Sequence, residues 1–215
     1  MLPDQRIAQI LAAAAEYRIA DYERCLAEAA SQMNPEELVE QLFAPLLREA
    51  GDRWHSGELS IVQEHMLSSA VRRQLYYVLD RHARASAGPA IAFTTLSGER
   101  HEMGSLMLAV VSASRGFRAI YLGADLPVDE VGRFCTQVDV AAVAISLVTS
   151  PVVIDAYAQL QTLRRLTNPR VQIWIGGQAA RLLDAAQLPA GTVTIMDMQQ
   201  FDAQLAVLRE RTIAK

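Results

Sequence analysis

Cysteine is scarce in this chain: of 215 residues only Cys25 and Cys135 carry thiols, one in each predicted half, and neither belongs to a pair with metal spacing. That excludes a disulfide scaffold and a cysteine zinc site, and leaves buried free thiols of the kind a cytoplasmic protein carries. No apolar run approaches the roughly 20 residues a bilayer span needs. No basic segment followed by an apolar stretch opens the chain, so neither a membrane segment nor a signal peptide is expected. Basic charge is also in short supply, with 20 Lys and Arg against 24 Asp and Glu, a net charge of -4 and a pI near 5.6. This balance argues against autonomous nucleic-acid binding, and no helix-turn-helix is expected ahead of the first helices. A phosphate-binding glycine loop is missing, and Ser, His and Asp are not arranged as a hydrolase needs. What remains is 51% hydrophobic and 20% charged, ample material for a core.

Two halves differ in periodicity. Residues 1–86 read as helices near 4–16 and 20–32, a third opened by Asn34-Pro35-Glu36-Glu37, and a fourth from about Ser60 to Ala83. The third carries Val39, Leu42, Phe43, Leu46, Leu47, Ala50 and Trp54 at i, i+3, i+4, i+7 spacing before Ser56-Gly57 breaks it. Four helices with short connections predict an antiparallel four-helix bundle. Beyond a hinge at Ser86-Ala87-Gly88-Pro89, residues 89–215 alternate strands near 89–96, 118–122, 140–146, 171–175 and 193–196 with helices near 101–115, 127–137, 151–166, 178–187 and 199–213. The alternation predicts an α/β fold, a flavodoxin-like (Rossmann-like) doubly wound parallel sheet.

The chemistry-bearing residues gather where such a sheet binds ligands, at the carboxyl ends of its strands. Gly98-Glu99-Arg100-His101-Glu102-Met103-Gly104 follows the first strand, Ser146-Leu147-Val148-Thr149-Ser150 closes another, and Gly176-Gly177 a third. A histidine two residues after a carboxylate on such a loop suits an axial metal ligand steered by an acid. Each piece alone also fits an ordinary role: a capped loop with a solvent-facing His101, or two turn glycines. In the helical half Trp54, His55, Glu64 and His65 stand out. Glu64 is expected on the extension of the Leu67/Val71/Leu75 stripe, where a carboxylate is costly unless it finds donors. Trp54 offers a large flat face. Their ordinary readings are a core tryptophan, a first-turn acid favoured by the helix dipole, and polar turn histidines. His82 and Arg72-Arg73 read as a solvated face, and Met66, Met103 and Met107 as packing.

Taken together, Glu99-x-His101-x-x-Gly104, the Ser146 loop and Gly176-Gly177 resemble the signature of cobalamin-binding domains, with Glu99 in place of the more usual Asp. Trp54-x9-Glu64-His65 resembles the cap of the adenosylcobalamin-dependent photoreceptors of the CarH/LitR type. The likeness covers nearly the whole chain and lacks that family's DNA-binding module. It implies adenosylcobalamin as cofactor, with His101 as lower axial cobalt ligand in place of the cofactor's own benzimidazole, and Glu99 orienting the ring. It implies close approach of the corrin or nucleotide tail at Gly104 and at Gly176-Gly177, and hydroxyls from Ser146 and Ser150 for the benzimidazole or its loop. Trp54, Glu64 and His65 would cradle the 5′-deoxyadenosyl group from a bundle capping the upper face, and His55 would take the cobalt once that group is lost.

The resemblance therefore implies a cytoplasmic light sensor in the regulation of transcription, not an enzyme, in which photolysis of the cobalt–carbon bond switches bundle conformation and association. Its partners would be cobalamin and either further copies of itself or a separate regulatory protein, with no direct nucleic acid and no membrane. The alternative is a corrinoid methyl carrier of a methyltransferase system, whose upper face must stay open to partner enzymes. A cobalamin storage or delivery protein is the third reading.

Overall fold

The computed structural model describes residues 3–83 and 86–213, apart from the side chains of 150–153, 212 and 213. The chain divides into two compact units, Met1–Arg84 and Ala85–Lys215.

The first unit is helical: α1 (Pro3–Ala15), α2 (Ile19–Gln32), then α3 (Pro35–Glu37) running through a π-helical stretch (Leu38–Phe43) into α4 (Ala44–Ser56), and α5 (Ile61–Ala83). Each helix buries one stripe, as with Ile7, Ile10, Leu11 and Ala14 in α1 and Leu67, Ala70, Val71, Leu75 and Val78 in α5. Asn34 caps the third helix by accepting from the Glu37 N–H at 2.9 Å, with Pro35 at the first position. The π stretch was not expected. It lies just before Pro45, which has no N–H to offer the Gln41 carbonyl and whose ring crowds it. The chain answers by widening the turn, with the Ala44 N–H bonding the Val39 carbonyl five residues back. Gly57, at φ 83°, ends α4 and donates to the Trp54 carbonyl at 3.1 Å.

The start of α5 departs from the expectation that Glu64 extends the buried Leu67/Val71/Leu75 stripe. The position facing the core is Gln63, 9% exposed, and Glu64 stands beside it, partly exposed. Ser60 and Gln63 form a reciprocal capping box: the Ser60 N–H donates to Gln63 Oε1 at 2.7 Å and the Gln63 N–H to Ser60 Oγ at 3.3 Å. Gln63 Nε2 then donates to the Ala15 carbonyl at 2.7 Å, tying the end of α1 to the start of α5. The buried polar group is thus satisfied within the protein and needs no ligand.

The second unit is α/β. Its strands are β1 (Ala90–Leu96), β2 (Arg118–Leu126), β3 (Ala142–Ser146), β4 (Gln172–Gly176) and β5 (Thr192–Ile195), all parallel in the order β2-β1-β3-β4-β5. This is the flavodoxin-like order. Helices α6 (Met103–Ser114), α7 (Val128–Gln137) and α8 (Ser150–Leu166) lie between strands, and α9 (Met198–Ile213) follows β5. Alternation along the strands separates two faces. Ala92, Val143, Ile145, Ile173 and Ile175 pack with Val131 of α7 and Ala156, Leu160 and Leu163 of α8. Residues of opposite parity face the other way, where Trp174 meets Phe201 of α9 edge to face at 5.9 Å. The expected helix at 178–187 is instead two 3-10 turns, Gln178–Leu182 and Ala185–Gln187, because Asp184 leaves the helical region and caps the second through the Ala186 N–H. Among the described residues, no helix is long and apolar enough to cross a membrane.

The Gln63 junction makes a test of the helical unit. Gln63→Leu should lower its stability by about 1–3 kcal/mol in urea unfolding followed by helical circular dichroism, since it orphans the Ala15 carbonyl. Gln63→Glu should cost more, because it turns an oxygen toward that carbonyl. Unchanged midpoints in both variants would remove the junction from the account of the unit.

Candidate functional site

The loop after β1 is built around Glu99, whose side chain is fully buried. Oε1 accepts from the His101 N–H at 2.9 Å and pairs with His101 Nδ1 at 2.6 Å. Oε2 accepts from the N–H groups of Val148 and Thr149 at 2.8 and 2.7 Å and from the Thr149 hydroxyl at 2.9 Å. Burial by itself would raise this carboxyl, but the N–H groups of His101, Thr149 and Val148 and the His101 ring outweigh it and hold the group at about 2, against its ordinary 4.5. An ionised carboxylate accepts only, so Nδ1 carries the proton in the neutral ring and Nε2 keeps the lone pair. The His101 side chain is 62% exposed. An imidazole fixed through one nitrogen and open at the other is a ready metal ligand.

The glycines and serine expected here converge on the same end of the sheet. Ser146 closes β3 in register with Thr95 of β1 and Gly176 of β4. A Cβ on Gly104 would stand 3.2 Å from Ser146 Oγ, so the first turn of α6 runs close past the end of β3. Gly177 has φ 94°, and a Cβ there would lie 2.3 Å from the Leu147 carbonyl oxygen. Gly176 is pressed similarly by the Ile195 carbonyl at 2.9 Å. The glycine pair is therefore required by the protein's own backbone, whatever else approaches it. The Ser150 side chain lies outside the described residues.

The sequence reading missed Thr149, Thr95 and Asp125, whose roles arise from strands brought together by folding. The Thr95 hydroxyl, fully buried, donates to the Glu99 carbonyl at 2.5 Å and accepts the Asp125 N–H at 2.9 Å. Asp125 holds the Gly98 N–H at 2.7 Å through Oδ1.

The helical unit holds the other candidates. Trp54 and His55 lie in the last turn of α4 with their rings 4.5 Å apart, and Trp54 is 42% exposed in place of the core position its stripe suggests. His55 Nδ1 bonds the Gly51 carbonyl at 2.7 Å; a carbonyl only accepts, so Nε2 again keeps the lone pair. Glu64 and His65 pair side chain to side chain at 2.5 Å across the first turn of α5. His65 also borders an apolar groove of about 440 Å³ between α2 and α5, lined by Ile19, Ile61, Val62 and Met66; Trp54, His55 and Glu64 do not line it. Among the described residues, no group of three or more His, Cys, Asp or Glu could hold a metal ion. Burial pushes the Cys135 thiol up to about 11, as for an inert structural cysteine.

Residues 6–79 match the family described as the B12 binding domain. The helical unit of this chain is therefore related to the B12 binding domain family. It is 34% identical over 160 residues, 73% of its length, to the HTH-type transcriptional repressor CarH of Myxococcus xanthus, of which that stretch covers 52%. The HTH-type transcriptional repressor CarA of the same organism is 33% identical over 158 residues, 74% of this chain and 53% of the relative. The chain thus spans about half the length of these curated relatives. Among solved structures, the Methanosarcina barkeri monomethylamine corrinoid protein superposes with a TM-score of 0.72 over 95% of this chain and 99% of the other, at 16% identity. That likeness is one of fold.

Glu99 generates a pH test. Its folded value lies below its unfolded one, so its contribution is complete above about pH 4.5 and is lost as the pH falls toward 2. In ligand-free protein, Glu99→Gln should be less stable than the parent at pH 7 by on the order of 3 kcal/mol. The two should converge as the pH approaches 2 in urea unfolding. Parallel pH curves would show that the carboxylate does not act as the clamp.

Proposed function

We propose that this chain is an adenosylcobalamin-dependent light-sensing regulator, without catalytic turnover, in which His101 is the lower axial cobalt ligand. The observation that carries the reading is the Trp54-x9-Glu64-His65 set: Trp54 stands exposed beside His55 at the end of α4, and Glu64 pairs with His65 at the start of α5. A methyl carrier must leave its corrinoid open to partner enzymes, a task that a large aromatic and three titratable side chains do not serve. The relation to CarH and CarA, both named as transcriptional repressors, supports the same choice.

The donor set of the α/β unit fits a corrinoid. Imidazole nitrogen suits a borderline transition metal, Glu99 fixes the ring and its basic nitrogen, and Gly104 leaves the first turn of α6 bare. Bound adenosylcobalamin would supply a cobalt–carbon bond that light can break. His101 would hold the lower position. Trp54, Glu64 and His65 would select the adenosyl group, Trp54 by stacking area and Glu64 by accepting hydroxyl or amine donors. His55, with Nε2 free, would be the ligand available after the adenosyl group has gone. Loss of that group removes a differential contact, which is what a two-state switch requires. The output would be a change in self-association or in binding to a separate regulatory partner.

The decisive measurement is the absorption spectrum of the protein with adenosylcobalamin, dark and after green light, alongside size-exclusion chromatography with light scattering. A light-driven spectral change with a change in mass is expected, together with preference for adenosyl- over methylcobalamin that Trp54→Ala weakens. Equal affinity for both forms, unaffected at Trp54 and Glu64, would favour the corrinoid methyl carrier. The 24% identity over 180 residues to the trimethylamine corrinoid protein of Methanosarcina barkeri makes that the second reading.

A further inference from the structure

The edge strand β2 does not run true beside β1. Phe93 pairs with Tyr121, Thr94 with Gly123 and Leu96 with Leu126, so β2 spends an extra residue at each of two steps. Bulges of this kind re-aim residues near functional sites. Here the second one delivers Asp125, at φ 57°, to the His101 loop. That region is unfavourable for residues with a Cβ and is tolerated best by Asn and Asp, so the local geometry is held against a cost. Three contacts hold it. The Asp125 N–H reaches both Thr95 Oγ1 at 2.9 Å and the Glu99 carbonyl at 3.1 Å, and Oδ1 takes the Gly98 N–H at 2.7 Å. Arg100 Nε lies 3.6 Å from the other carboxylate oxygen, an exposed pair of little consequence. The buried Thr95 hydroxyl completes the arrangement by donating to the Glu99 carbonyl.

Glu99 is therefore gripped at both ends. Its carboxylate binds His101 and the β3 loop, and its carbonyl is pinned by Thr95 and Asp125. We propose that Thr95 and Asp125 are positioning residues for the axial histidine, acting through the Glu99 backbone to set the direction of the His101 ring. The proposal rests on the reading of His101 as the lower cobalt ligand. Neither residue reaches the imidazole itself. A ring steered by one carboxylate is only as well aimed as the backbone that carries the carboxylate, and the hydroxyl and the bulge supply that backbone's fixed point.

The test loads the full chain with cob(II)inamide, which carries no benzimidazole to return to the cobalt, and reads the axial-nitrogen splitting in its electron paramagnetic resonance spectrum, together with corrinoid affinity and the melting temperature of the ligand-free protein. Thr95→Val removes the hydroxyl at constant shape, and Asp125→Gly removes the acceptor while accepting the backbone angle. Each should weaken or broaden the nitrogen splitting and cost roughly tenfold in affinity, the lower end of what loss of a ligand's supporting partner does at metal sites. Thr95→Ser and Asp125→Asn keep the hydrogen bonds and should restore both. A lower melting temperature with intact nitrogen splitting and affinity in Thr95→Val and Asp125→Gly would overturn the proposal, leaving these residues a purely structural role. His101→Ala separates the two levels: it should abolish the splitting. If the splitting survives in His101→Ala, the axial reading itself falls and this inference falls with it. If it is lost there yet untouched in the Thr95 and Asp125 variants, only the inference falls.

Discussion

Five donors meet on the two oxygens of the Glu99 carboxylate, and three of them come from the turn after β3 while two come from His101. A carboxylate removed from water must find such partners or take up a proton. Here the partners are mostly backbone N–H groups, which cannot swing away. The consequence is mutual: the loop after β1 and the loop after β3 each need the other's geometry for the charge to remain buried. The His101 ring takes its orientation from that shared structure.

The parallel sheet explains why these loops meet at all. With β1 and β3 side by side inside the sheet, the loops leaving their carboxyl ends are neighbours, and the turn after β4 lies next in line. Close passage there demands residues without side chains. Gly177 meets that demand against the Leu147 carbonyl, which makes the glycine pair a feature of strand packing as much as of any ligand. The helical unit has its own fixed point in Gln63, whose side chain joins two helices through their backbones.

Much of this was readable in the sequence, and the parts that were not share a cause. Strands and helices followed from hydrophobic period, and the Glu99–His101 pair from spacing on a strand-to-helix loop. Glu64 was expected on the buried stripe because extrapolating from Leu67, Val71 and Leu75 ignores the capping box, in which Ser60 and Gln63 claim the inward position. That box, Ser60-x-x-Gln63, is legible in the sequence itself. Thr149, Thr95 and Asp125 left no such mark. Their importance depends on the register of β1 against β2 and β3, and on two bulges that no local pattern announces. The 178–187 segment has helical composition, but Asp184 caps a new turn in its middle.

The π-helical stretch at Leu38–Phe43 has an effect well away from Pro45. Each residue of an α-helix advances the side chain by about 100° around the axis, so a widened turn shifts the phase of everything that follows. Trp54 and His55 therefore point where they do because of a proline two to three turns upstream, and the azimuth of that pair is set by a covalent ring with no contact to it. A helix repaired to regular winding at that point would keep its length, its caps and most of its buried stripe. It would present its last turn to a different side.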